Sequence, residues 1–451
     1  MGDLGNTYEH LGKYADAEKL HIQVLDMRKR LLGEEHPDTI GDMSNLAITY
    51  RSLGKYADAE NLQIQVLNMR NRMLGEEHPD TIGDMNNLAI TYNSLGKYAD
   101  AEKLQIQVVD MRNRLVGEEH PDTISAVNDL AMTYGRLGRY MDAEKLQIKL
   151  LDLGNRLVGE EHPNTIKAMA TLATTYWRLG KCADAEMRQI KVLDLMNRLL
   201  GEEHPNTINA MSNIANTYGG LGKYADAEKL HIQVLDMRKR LLGEEHPDTI
   251  GDMSNLAITY RSLAKFADAE KLQIQVLDMR TRLLGEEHPS TICDMCNLAI
   301  TYGYQGKYAD AEKLQIQLVD MRNRLLGEEH PDTIAAMNTL GITYCDLRKY
   351  ADAEKLQIKA LDLGNRFLGE EHHDTINAME NLATTFYYLQ RFEDAAMLAV
   401  QVVDARKKTF GDEHPQTVKA VAFLAEVRSQ AKTNTSGTEP KKKVSHIYSR
   451  L

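Results

Sequence analysis

The residue types best able to do chemistry recur in one short string. Gly-Glu-Glu-His-Pro, or a one- or two-letter variant of it, begins at Gly33, Gly75, Gly117, Gly159, Gly201, Gly243, Gly285, Gly327, Gly369 and Gly411. Two carboxylates beside an imidazole, as in Glu34, Glu35 and His36, are plausible ligands for a metal ion. Each set belongs to its own separate segment, however, and one histidine with two adjacent glutamates at an exposed turn does not converge on an ion. No metal site is expected. Cys293 and Cys296 have the spacing of a redox or zinc pair, but no second pair exists, and other repeats fill these positions with Gly or Ala and with Ser or Asn. Chance substitution accounts for them. A nucleophile elbow, a zinc-protease His-Glu-x-x-His and a phosphate-cradling glycine loop are all missing from the sequence. The chain offers no catalytic residues and no cofactor site, and it reads as a non-enzyme.

Composition narrows the partners. With 54 basic against 66 acidic residues and a pI near 5.7, the chain has no nucleic-acid footprint, and a basic or neutral partner is electrostatically easier. Four cysteines, Cys182, Cys293, Cys296 and Cys345, are too few to staple 451 residues, which fits a reducing compartment. There is no charged-then-apolar leader and no apolar run of about 18 residues, so the expectation is a soluble, cytoplasmic protein with no membrane contact.

The elements that must position these residues follow from the interval of the string, which is 42 residues throughout. Nine of the ten prolines fall within it, His373 replacing one and Pro440 lying apart. Between strings the pattern is two helices. In the unit from His36 to Gly75, Pro37 suits the first helical position and Asp38 the positive end of the helix dipole. A first (A) helix then runs to about Leu53, with Ile40, Met43, Leu46, Ala47 and Tyr50 at three- and four-residue spacing. Gly54 and Lys55 make the turn. A second (B) helix spans about Tyr56 to Leu74, burying Ala59, Leu62, Val66, Met69 and Met73, and Gly75 ends it. Gly154 and Gly364 fall inside B helices, where each costs about 1 kcal/mol relative to alanine, for closer packing or a bend.

Repetition gives ten hairpins over residues 1–430, the first with its A helix cut short at Met1, and a capping helix at about 416–429. The Thr/Ser/Lys-rich stretch 431–451 is expected to be disordered. One hairpin cannot bury its own apolar stripes, but a stack of neighbours can. A cut first helix exposes an apolar end face, so end-to-end self-association is also expected. Leu11 to Leu53 recurs letter for letter as Leu221 to Leu263, the mark of a copied five-repeat block.

The columns Leu46, Ala47, Tyr50, Gly54, Tyr56 and Ala59, recurring along the chain, resemble the tetratricopeptide signature. The 42-residue period and the phrases NLAITY, GKYADAE and LDMRNRLLGEEHPDT resemble the longer variant found in kinesin light chains, in nephrocystin-3-like proteins and in the C-terminal arrays of fungal nucleotide-binding sensors. The resemblance covers residues 1 to about 430. It implies an all-α fold, a right-handed superhelical solenoid of helix-turn-helix repeats, and a protein-protein interaction scaffold that binds an extended peptide or a protein surface in its concave groove. It further implies either the recognition half of a larger nucleotide-binding sensor or a kinesin light chain-like adaptor between motor and cargo.

In such arrays A-helix positions line the groove. One position varies from repeat to repeat and carries Arg51, Trp177, Arg261 and Tyr387, and its neighbour carries Arg136, Arg178, Tyr304 and Tyr388. A steadier column holds Asn45, Asn87, Asn213, Asn255, Asn297 and Asn381. An amide joins a donor to an acceptor and can pair with an extended backbone whatever its sequence. The arginines with the aromatic residues suit a peptide that has an aromatic anchor and acidic flanks.

Overall fold

The computed structural model describes residues 14–435 together with Gly5, Thr7 and Tyr8, with side chains described as far as Lys432. Residues 1–13, where the sequence places the first A helix, lie largely outside the described residues, as does the part of the tail from 436 onward. Among the described residues every element is helical. A helices of 16 residues, such as Pro37–Ser52, alternate with B helices of mostly 19, such as Tyr56–Leu74. The last helix, Pro415–Thr435, runs further than the capping helix expected, so the tail does not begin at 431.

The recurring string is a helix-to-helix connector. Its glycine takes a left-handed φ, +86° at Gly75, where the backbone leaves the B helix. Its histidine is the N-cap of the next helix: His36 Nδ1 accepts the main-chain N–H of Asp38 at 3.2 Å, and His78, His120, His162, His204, His246, His288, His330, His372 and His414 do the same. Its second glutamate pairs with an arginine one repeat on, as Glu35 does with Arg72 and Glu245 with Arg282, both at 3.1 Å. The residues that invited a metal reading are thus punctuation and repeat-to-repeat pairing.

The A-to-B turn works in the same way. Lys55 caps by donating its main-chain N–H to Tyr50 O, its ammonium sits 5.7 Å from the Tyr50 ring, and it pairs at 2.6 Å with Glu18 of the preceding B helix. Lys97, Arg139, Lys223, Lys265, Lys307, Lys349 and Arg391 repeat the pairing 37 residues from their glutamates.

The chain forms two compact units, residues 1–168 and 169–451. Within each, hairpins stack so that a core layer draws on three or more consecutive helices. In the first unit Leu25, Ile40, Met43, Leu46 and Val66 pack together, and in the second Leu235, Ile250, Met253, Leu256 and Val276 repeat the layer. Each such side chain contributes about 1.5–3 kcal/mol by leaving water. Ala47, Ala59, Ala257 and Ala269 are completely buried, which lets neighbouring helices approach closely.

Charge is buried at the same junctions. Arg238, on one B helix, donates to Asp252 of the next A helix at 2.8 Å, and Ser212 of the preceding A helix donates to the same carboxylate at 3.1 Å. Arg70 with Asp84 and Arg280 with Asp294 are built alike. Burial holds the carboxyls of Asp84, Asp252 and Asp294 above their ordinary range, and the arginines pull them back down.

Gly154 and Gly364 serve close packing. A Cβ on either would lie within 2.9 Å of the hydroxyl of Thr165 or Thr375, so each allows a close approach. The helical ladder widens beside each, where the N–H of Gly159 or Gly369 reaches back five residues, and Gly364–Leu368 is a π-helical turn.

The binding face of the A helices

On most A helices one line of residues stays outside the core; on Pro331–Asp346 it is interrupted by Ile342, which is buried in a core cluster. In Pro247–Ser262 it comprises Gly251, Asn255, Ile258 and Ser262, spaced as one helical face, and none of these is buried. The asparagine column lies on this line. Asn213 is exposed, and Asn45, Asn87, Asn255, Asn297 and Asn381 are half-buried. At one rung the amide is tied to its neighbour: Asn255 Nδ2 donates to Ser212 Oγ at 3.5 Å, the same repeat-to-repeat step by which Asn86 donates to Asp129 at 2.8 Å.

Three residues further along runs a second column not singled out from sequence. Ile48, Ile90, Ile258 and Ile300 are half-buried and Met132 is 48% exposed. Thr174 and Asn216 continue it with polar groups. The signal was present in the phrase NLAITY, whose asparagine and isoleucine stand on one face while its leucine and alanine point inward.

The two variable columns occupy repeat junctions. Trp177 fills the space above Gly220 of the next A helix, where a Cβ would come within 2.1 Å of the indole Nε1. Arg178 is exposed, lies over the Trp177 ring at 4.9 Å, and sits near enough to His373 to help hold that imidazole down at about 4, burial being the larger cause. Arg261 donates to the main-chain carbonyl of Asn297 at 3.3 Å and lies 6.0 Å from the Tyr304 ring. Burial lowers its affinity for a proton. Tyr304 stacks on Phe266 and Tyr388 on Tyr350, both at 5.9 Å, so this column packs against the preceding B helix. Tyr387 donates to Glu426 of the last helix at 3.0 Å and meets Phe423 and Phe392. Arg51 is half-buried and Arg136 exposed. The structure therefore places Trp177, Arg261, Tyr304, Tyr387 and Tyr388 in contacts that set how one repeat sits on the next. It leaves Arg136, Arg178 and the asparagines more open.

Burial raises the thiol of the half-buried Cys296 above its ordinary value, so it is not a ready nucleophile. One set of ligand types does gather: His372, His373 and Asp374 hold their donor atoms within 4.8 Å of one another. His372 Nδ1 is already engaged as the cap of Asp374, and the positive end of the helix dipole opposes a cation there. No helix among the described residues is long and apolar enough to cross a membrane.

Comparison with known proteins agrees with this geometry. The tetratricopeptide repeat profile matches residues 1–72, 43–114, 81–140, 122–196, 176–240, 211–282, 250–324, 304–356 and 332–408. A nucleotide-binding leucine-rich repeat (NLR)-like protein of Hyaloscypha variabilis is 45% identical over 44 residues, which is 10% of this chain and only 4% of that protein. Among solved structures, a Rap protein complexed with competence and sporulation factor is 12% identical, covers 82% of this chain and 99% of its own, and superposes with a TM-score of 0.54. An array of nearly identical TPR-like repeats from Podosopora anserina, assigned there to a kinesin light chain, is 25% identical over 46% of this chain and 97% of its own, with a TM-score of 0.40. The repeat profile and the likeness to the Rap protein show the fold, an all-α solenoid.

Proposed function

We propose, from the premise that this chain belongs to the tetratricopeptide-repeat family, that it is a protein-interaction scaffold whose A helices hold an extended peptide. The observation that carries the reading is the pair of parallel columns on the open line of the A helices. Amides at Asn45, Asn87, Asn213, Asn297 and Asn381 can pair with a peptide backbone, and the aliphatic column at Ile48, Ile90, Met132, Ile258 and Ile300 can take its apolar side chains. Arg136 and Arg178 supply positive charge at the edge of this line, which favours acidic flanks in the peptide. The junction residues act indirectly, by fixing the spacing between rungs.

Capture from a random linear peptide library tests the reading. Asn213→Ala with Asn297→Ala should lower capture about tenfold or more, at roughly 1 kcal/mol per lost amide pairing, while leaving helicity and melting unchanged. Equal loss from a B-helix change such as Gln275→Ala would overturn it. The short match to an NLR-like protein favours one elaboration, in which the array is the recognition half of a nucleotide-binding sensor that works in the cytoplasm.

A further inference from the structure

Most B helices show solvent the same order of side chains; Tyr56–Leu74 departs from it at Asn61 and Asn68, Cys182–Leu200 at Met187, and Phe392–Phe410 at Met397, Val400 and Lys408. On Phe266–Leu284 the exposed line is Asp268, Lys271, Ile274, Asp278 and Arg282; on Tyr308–Leu326 it is Asp310, Lys313, Ile316, Asp320 and Arg324. The isoleucines form a ladder within the second unit, with Ile232 39%, Ile274 47%, Ile316 46% and Ile358 47% exposed. At a position so open, leucine or lysine would serve the helix better than a branched apolar residue.

The charges around this ladder are their own complement. Read along the helix the signs run negative, positive, apolar, negative, positive. A second helix laid antiparallel across the isoleucine presents the reverse order, so opposite signs meet on every rung. Lysine stands three residues before the isoleucine and aspartate four after it; the outer aspartate stands six before and the arginine, which already pairs with a connector glutamate and adds less, eight after. The mismatches of one and two residues amount to about 1.5 and 3 Å, which lysine and arginine side chains span easily. A two-fold axis needs a self-complementary patch of this kind. Grooves are also present for the ridges to enter. One such cleft, between the B helices Cys182–Leu200 and Tyr224–Leu242, is walled by Leu193, Asn197, Gln233 and Asp236, also lined by Met211 and the connector's Glu202 and Glu203, and measures about 730 Å³.

We propose that the exposed B-helix face around Ile232, Ile274 and Ile316 docks a second copy of this chain, with the two sets of B helices antiparallel. Identical rungs at identical spacing make the contact multivalent, which only a partner with the same period can exploit in full. The A-helix line is left free, so peptide capture and self-association are separate properties.

Sedimentation of the full chain across a range of concentrations tests this, using two charge-reversed variants. One carries Lys229→Glu, Lys271→Glu and Lys313→Glu; the other carries Asp236→Lys, Asp278→Lys and Asp320→Lys. All six positions are exposed, and unchanged circular-dichroism melts confirm that each variant folds. The wild type should dimerise, and each variant alone should do so about 100-fold more weakly, because six attractive pairs become repulsive. An equimolar mixture of the two should recover association, since lysine then faces glutamate again at every rung. A wild type that stays monomeric throughout overturns the proposal. So does association indifferent to the reversals, as end-to-end stacking would be, and so does a mixture that fails to recover. Peptide capture by the A helices should be unchanged in both variants, so failure here leaves that reading standing.

Discussion

Replacing His231 by the glutamine that most repeats carry should stabilise the array, and more strongly in acid. The position lies at a buried junction. Gln105, Gln189 and Gln357 accept a hydrogen bond there from Thr133, Thr217 and Thr385, each 28 residues on, at 2.5 to 2.6 Å, whereas the side-chain oxygens of Gln63, Gln147, Gln273 and Gln315 are buried without a partner. His231 is 1% exposed, its Nδ1 is buried with no partner, and burial drives its pKa down from 6.5 to about 4. The folded value lies below the unfolded one, so the unfolded chain takes up the proton first. Stability therefore falls as pH drops from about 6.5 towards 4 and levels off below that. For these two values the loss is about 0.2 kcal/mol at pH 7 and about 2 kcal/mol at pH 5. Glutamine removes that loss and, by reaching Thr259, adds about 1 kcal/mol at either pH. Urea unfolding of wild type and His231→Gln at pH 7 and pH 5 should show the variant ahead by about 1 and about 3 kcal/mol respectively. An advantage of the same size at both pH values would refute the assignment of a buried, neutral imidazole.

Arg238→Ala should cost about 3–5 kcal/mol by leaving Asp252 buried without its cation, whereas Arg238→Met with Asp252→Ala, copying the natural pair Met196 and Ala210, should recover most of it in a double-mutant cycle. Gly222→Ala, at φ +74° with open space around it, should cost about 1–2 kcal/mol. Gly180→Ala, at φ +71° with His414 Cδ2 only 2.6 Å from the new methyl, should cost measurably more; equal melting of the two would contradict the packing of that turn. Gly220→Ala should displace the indole of Trp177, the single tryptophan, and shift its emission to the red; an unchanged spectrum would mean that the ring lies elsewhere.

Helix boundaries, the turn glycines and the proline starts were legible in the sequence because each depends on a local rule of backbone geometry. The histidine caps were not, because histidine is an unusual N-cap and its partner is a main-chain N–H that no pattern of side chains reveals. The buried arginine–aspartate pairs were visible in principle. Asp42, Asp84, Asp252 and Asp294 follow Arg28, Arg70, Arg238 and Arg280 by 14 residues, and where the arginine gives way to Gly154, Met196 or Gly364 the partner is Ala168, Ala210 or Ala378. Arg112 and Arg322 face Ala126 and Ala336 instead and donate to the carbonyls of Asp122 and Asp332. The variable A-helix columns were the hardest to read. A residue on the outer side of one hairpin is covered once the next hairpin stacks, so Trp177, Arg261 and Tyr387 look like ligand contacts in one repeat and become junction contacts in two.

The most direct test of the scaffold account is hydrogen exchange of the full chain with and without a peptide selected from the random linear library. The account predicts new protection along the A helices, at Pro205–Gly220, Pro247–Ser262 and Pro289–Tyr304 among them, with the B helices unchanged. Protection confined to the B helices would contradict it.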